Sequence, residues 1–86
     1  MSSQEQVQRA AQVQAKYTNT LMQKPHVVGV AVGYPTVNGV RSPDVGVVVM
    51  VDRKVPLTEL RSEDTIPTIL DGVRVDVQET GAFSAQ

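Results

Sequence analysis

His26 is the single histidine of the chain, and on paper it groups with Ser42 and either Asp44 or Asp52 into a nucleophile, base and acid. Such a set needs its serine on a sharp turn, as in the G-x-S-x-G elbow, and no such elbow occurs here. These residue types are common, so His26 reads as a histidine that leads into a strand after Pro25. The stretch HVVGVAVGYP, His26 to Pro35, has glycines spaced like those of a phosphate loop. Phosphate and dinucleotide fingerprints, however, need a glycine-rich turn that feeds a helix N-terminus. Gly29 and Gly33 instead fall on one face of a strand, and a second strand follows. One histidine, no cysteine and scattered carboxylates give neither zinc spacing nor a calcium loop. Glu63 and Asp64 follow Ser62 and read as the first turn of a short helix, where acids suit the helix dipole. Arg53-Lys54 reads as a solvated turn at a strand end. The expectation is no catalytic residue, no cofactor and no metal.

The bulk composition supports a small globular fold. At 86 residues the chain is one domain, 1–86, and a chain of this size buries roughly two-thirds of its unfolded surface. Seventeen valines dominate, and this β-branched residue suits a pleated surface. The aromatic residues are Tyr17, Tyr34 and Phe83, too few to stack bases. The net charge is −1, with +2 on residues 1–24, +1 on 25–61 and −4 on 62–86. Such a balance attracts neither nucleic acid nor an anionic membrane. The first residues lack an apolar signal core, and no apolar run approaches the ~20 residues of a membrane helix. The expectation is a soluble, cytoplasmic protein.

Helical periodicity runs from about residue 4 to 23. Val7, Ala10, Ala11, Ala15, Tyr17, Leu21 and Met22 fall in one broad arc, interrupted by Gln14 and Thr18. Ser3 with Gln6 forms a capping box, and Pro25 closes the far end. Strands are expected at about 26–34, 44–52 and 72–79. Asn38-Gly39 favours the positive φ angles of a two-residue hairpin turn. With that tip, positions pair when their numbers sum to 77: Val32 with Val45, Val30 with Val47, Val28 with Val49, Gly29 with Val48 and Ala31 with Gly46. GVRVDVQ alternates as a strand with Val73, Val75 and Val77 on one face. Between the second and third strands, Leu57, Leu60, Ile66, Ile69 and Leu70 can plug the open end of the core, and the last eight residues form a tail.

These elements give an α+β fold, a small two-layer sandwich in which the N-terminal helix packs on a mainly antiparallel three-stranded sheet. The valine face, made of Val28, Val30, Val32, Val45, Val47, Val49, Val73, Val75 and Val77, seats the helix. The opposite face carries Gly29, Ala31, Gly33, Gly46, Val48 and Met50 beside Arg74, Asp76 and Gln78. That mixture is too apolar for plain solvent and reads as an interaction surface, centred on Gly29, Ala31, Gly46, Val48 and Met50. Two unpaired sheet edges add to the tendency to associate, and a homodimer or a dimer of dimers is the expected state.

Three stretches occur in order: VVGVAVG after a helix, VVVMVDRKVPLTEL, and IPTILDGVRVDVQETG. Together, from Val27 to Gly81, they resemble the short module that precedes trypsin-like peptidase domains in some bacterial and plant proteins. The resemblance ends where a peptidase would follow and so carries no catalytic residue onto this chain. It implies a peptidase as an alternative partner. Two functions of different class follow: a non-enzymatic association module, self-pairing or docking on a larger protein, and a propeptide-like inhibitor or folding aid of a trypsin-like peptidase. A small hydrolase has no support in the sequence.

Overall fold

The computed structural model describes residues 3–37 and 39–80, and shows one helix laid on one face of a small mixed sheet. The helix α1 spans Ser3–Met22. It is followed by β1 (Val27–Gly33), β2 (Thr36–Val37), β3 (Val40–Arg41), β4 (Gly46–Val51), β5 (Ile69–Leu70) and β6 (Val73–Glu79). Two 3-10 turns, Leu57–Glu59 and Ser62–Asp64, lie in the connection from β4 to β6. The sheet order is β1-β4-β6-β5. Its β1–β4 and β5–β6 pairs are antiparallel, and β4–β6 is parallel. The α+β sandwich is as expected from the sequence, with one short strand more in its sheet and a separate two-stranded hairpin, β2–β3.

That added strand is β5, and its cause is a turn of the same kind as the one expected at Asn38-Gly39. Asp71 (φ 50°) and Gly72 (φ 80°) both take positive φ between Leu70 and Val73, which pair directly. Two central residues with positive φ match the right-handed twist of the flanking strands, and Asp-Gly is a favoured pair for that geometry. The first residue of the expected third strand is therefore a turn residue.

The β1–β4 register corrects the arithmetic of the sequence. Around the expected tip the pairs are Thr36 with Arg41 and Val37 with Val40, which sum to 77. Asn38 itself lies outside the described residues, and Gly39 has φ 79°. In the main ladder, however, Gly33 pairs with Gly46, Val32 with Val47, Ala31 with Val48, Val30 with Val49 and Gly29 with Met50. The offset arises because two residues, Tyr34 and Pro35, separate β1 from β2, whereas four, Ser42 to Val45, separate β3 from β4. Pro35 and Pro43 lack the N–H a ladder needs, so the chain satisfies its backbone otherwise. The Ser42 N–H donates to Pro35 O at 2.7 Å, the Asp44 N–H to Ser42 Oγ at 3.1 Å, and the Val45 N–H to Gln6 Oε1 at 3.1 Å. A shift of two preserves side-chain parity, so each face keeps its residues.

Val28 is the exception to that parity. The ladder is irregular between Val27 and Gly29, Val27 sits opposite Val51, and Val28 is 37% exposed. One extra residue at this point is a β-bulge, and it gives Val28's expected core position to Val27.

The core is otherwise the expected valine face. Val47, Val49, Val51, Val73 and Val75 are buried with Ala10, Val13 and Leu21, and Tyr17, Val27, Val30, Val32, Val45, Ile66, Leu70 and Val77 pack around them. On the helix, the buried stripe runs Ala10, Val13, Tyr17, Leu21, spaced by three and four residues. Val7 (45%) and Met22 (43%) are exposed, as are Ala11 and Ala15, which corrects the expected arc. The polar residues inside the stripe explain the rotation. The Gln14 side chain donates to Val30 O at 3.1 Å, and the Thr18 hydroxyl bonds Gln14 O. Gln6 spends its amide on Asp44 and Val45. The helix thus turns amides toward the sheet, where backbone groups await partners. Ile69 is 55% exposed and pairs with Arg74, so it does not plug the core as expected.

Candidate functional site

Alternation along β1, β4 and β6 places Gly29, Ala31 and Gly33, then Gly46, Val48 and Met50, then Arg74, Asp76 and Gln78 on the sheet face away from the helix. The expected interaction residues therefore share one surface. Much of that surface is occupied by the chain itself. A Cβ on Gly46 would lie 2.5 Å from Arg74 O and 2.8 Å from Pro35 Cγ. Pro35 is fully buried there, and the Thr36 N–H donates to Asp76 Oδ2 at 2.9 Å. The β2–β3 hairpin accordingly leans over the start of β4. Val48 is only 8% exposed. A Cβ on Gly29 would meet Met50 Cε at 2.7 Å, so the methionine side chain drapes over that glycine. What remains partly open is Gly29, Ala31 and Met50.

The sheet edges are less open than the strand count implies. The Gln14 side chain on α1 donates to the Val30 carbonyl of β1, which has β4 on one side only. With the bulge at Val28, this edge is both capped and bent, two common ways of blocking edge pairing. On the other side, β5 covers the first residues of β6, and the Val75 N–H donates to Thr68 O at 2.8 Å.

The candidate catalytic set is only half assembled. His26 has φ 68°, an uncommon backbone state for a residue with a side chain. It is held by Asp52 twice: Nδ1 lies 2.9 Å from Asp52 Oδ1, and the Asp52 N–H donates to His26 O at 2.9 Å. Ser42 and Asp44 stand at the opposite end of the strands, beside the start of β4, whereas His26 and Asp52 stand at its close. Among the described residues no serine hydrogen-bonds the histidine; its side-chain partner is Asp52. Among the described residues no three His, Cys, Asp or Glu side chains converge as metal ligands. No helix among them is long and apolar enough to cross a membrane.

Each end of the sheet carries a cleft. One, about 410 Å³, has Gln6, Arg9, Ser42, Asp44, Gly72 and Arg74 in its lining. The other, about 240 Å³, has a floor of Val51, Val55, Ile66 and Val77, with His26, Arg53, Lys54 and Asp64 at its rim. The second brings together His26 and Arg53-Lys54, which the sequence reading treated as unrelated.

A feature the sequence reading missed ties the helix to the β5–β6 turn. Lys16 Nζ and Tyr17 Oη lie 3.0 Å from the two Asp71 carboxylate oxygens, and Arg9 donates to Asp71 O at 3.3 Å. Hydrogen bonds from Lys16 and then Tyr17 hold the Asp71 carboxyl below its ordinary pKa, and the same carboxylate raises Lys16. The only signal in the sequence was Asp71-Gly72 itself, since a turn residue facing a helix offers its carboxylate to that helix.

No family model matches the chain, and no curated protein matches it.

Proposed function

We propose that the protein is a non-enzymatic association module that pairs through the sheet face opposite its helix, with a second copy of itself as the first partner. The reading rests on one observation. Gly29, Ala31 and Met50 remain partly open on a face where Pro35 and Val48 are buried, while a Gln14 hydrogen bond and a bulge mark one sheet edge and β5 covers the start of the other. Association through the face is then favoured over strand addition at an edge. Small residues let two such faces approach closely, and a two-fold dimer uses the same patch on both chains. The work of such a module is assembly, in the cytoplasm, with neither nucleic acid nor membrane as partner.

The test is Ala31→Arg, which adds bulk and charge to the open patch without entering the valine core. Light scattering of the wild type should give a dimer or a dimer of dimers, and the variant should shift toward monomer with its circular dichroism unchanged. A wild type that is monomeric at high concentration would remove the self-association reading. Inhibition or folding assistance of a trypsin-like peptidase by that monomer would transfer the face to the alternative partner.

A further inference from the structure

The cleft at the His26 end is apolar inside and balanced at its rim. Its floor is aliphatic, built from Val51, Val55, Ile66 and Val77. Arg53, Lys54 and Asp64 stand at the rim, and two further carboxylates lie beside them. Asp52 holds the His26 ring, and Glu79 Oε1 accepts the Lys54 backbone N–H at 2.7 Å. Three carboxylates against two basic side chains leave no positive charge to draw in an anion. An occupant has to be apolar and uncharged, since a charge without a partner is costly on such a floor. At about 240 Å³ the cleft lies below the range of drug-sized pockets and suits a single large side chain.

The chain leaves the sheet at this cleft. β6 closes at Glu79, and the Thr80 N–H and hydroxyl both donate to Val51 O, at 2.9 and 3.3 Å. Val51 and Val77 are floor residues, and the Lys54–Glu79 bond ties the rim to the same end of β6. The next six residues, 81–86, read GAFSAQ and carry no charged side chain. Phe83 comes three residues after Thr80, a span of at most about 11 Å, and Gly81 supplies the freedom to turn back. The other two aromatic side chains are engaged, Tyr17 with Asp71 and Tyr34 with Arg41.

We infer that the cleft seats the chain's own C-terminal segment, residues 81–86, with the Phe83 ring on the aliphatic floor. Phenylalanine brings the largest apolar area of any residue in that segment, and few residues need ordering to place it. The entropy of ordering them offsets much of the gain. The segment is therefore a reversible cover rather than a fixed part of the core.

The experiment is a carbon-edited NOE spectrum of the full chain, with Phe83→Ala and Val55→Asp as variants. Phe83 ring protons should show NOEs to the methyl groups of Val51, Val55, Ile66 and Val77, and those methyls should carry upfield ring-current shifts. Phe83→Ala should abolish the shifts and leave the signals of the buried core, such as Val47 and Val49, in place. Val55→Asp puts a charge on the floor at a half-buried position and should return the Phe83 ring to the shifts of a free peptide. Free-peptide shifts for the ring in the wild type, or cleft methyls indifferent to Phe83→Ala, would overturn the assignment. So would NOEs that appear only between differently labelled copies in an isotope-filtered spectrum, because the cleft would then receive the segment of a second copy.

Discussion

Gly46→Ala and Gly29→Ala should behave oppositely, although both add one methyl group to the same face. At Gly46 the new Cβ would stand 2.5 Å from Arg74 O and 2.8 Å from Pro35 Cγ. The first neighbour is backbone of the paired strand β6 and cannot move without disturbing the β4–β6 ladder. Overpacking of this kind costs about 1–3 kcal/mol. A gain of about 0.4–1 kcal/mol from the stiffer unfolded chain offsets part of it. The expected net loss is about 1–2 kcal/mol, which for a domain of this size lowers Tm by roughly 4–16 °C. At Gly29 the 2.7 Å neighbour is Met50 Cε, the far end of a flexible side chain. Methionine can rotate away at little cost, so Gly29→Ala should fall within about 0.5 kcal/mol of the wild type. Urea unfolding at several protein concentrations distinguishes the causes. The Gly46→Ala loss arises inside one chain and must not depend on concentration. A Gly46→Ala protein as stable as the wild type would show that the hairpin does not lean on β4. A loss seen only where the wild type is oligomeric would assign the close approach to a partner instead.

Val47→Asp would bury a charge at a position with no exposure, within a cluster of aliphatic side chains, and should cost more than about 4 kcal/mol; thermal unfolding checks it, and a near-normal Tm would mean that the helix does not cover this face. Gln14→Ala removes the donor on Val30 O and should cost about 1 kcal/mol. It should also raise aggregation on standing, read by turbidity, because the β1 edge is then uncapped. Asp71→Asn keeps a residue tolerant of positive φ but loses the carboxylate. Because the folded Asp71 pKa is lowered, its stabilisation is present above the unfolded value near ~3.9 and fades as pH falls through the lower folded value. Because Lys16 is raised, the same link is complete below about 10.4 and fades as pH rises through the higher folded value. Wild type and variant should therefore differ most between these limits and converge in acid; a difference independent of pH would remove Asp71 from that role.

How much was legible depended on which signals are local. Alternation and valine content placed β1, β4 and β6 and their shared core face, because parity along a strand survives errors of register. The tip pairing followed from the turn, but its extension into the main ladder assumed equal arms. Pro35 and Pro43 marked the interruption without saying how many residues it would absorb. That number was set by long-range bonds such as Val45 N–H to Gln6, which no local pattern contains. The helix arc failed for a related reason. Hydrophobicity alone put Val7 and Met22 inside and counted Gln14 and Thr18 as defects, whereas the edge carbonyl of Val30 makes an amide more useful than a methyl at that position.

The candidate surface shows the same division between composition and arrangement. A run of small residues says that something lies close, but not whether the neighbour is another chain or the same one. Gly46 is small because Pro35 and the β6 backbone lie against it, and Gly29 because Met50 does. Neither needs a partner to account for it. Ala31, half-buried and opposite Val48, is the small residue of the patch that those two contacts do not explain. The association reading thus rests on a narrower patch than the sequence implied, and on Ala31 more than on the glycines. His26 moved the other way. Alone it was a residue before a strand; Asp52 and the Arg53-Lys54 pair became its neighbours only when antiparallel pairing brought the end of β4 back to the start of β1. Antiparallel closure of this kind is what converts scattered polar residues into a site, so the ends of a small sheet are where chemistry hidden from the sequence should be sought.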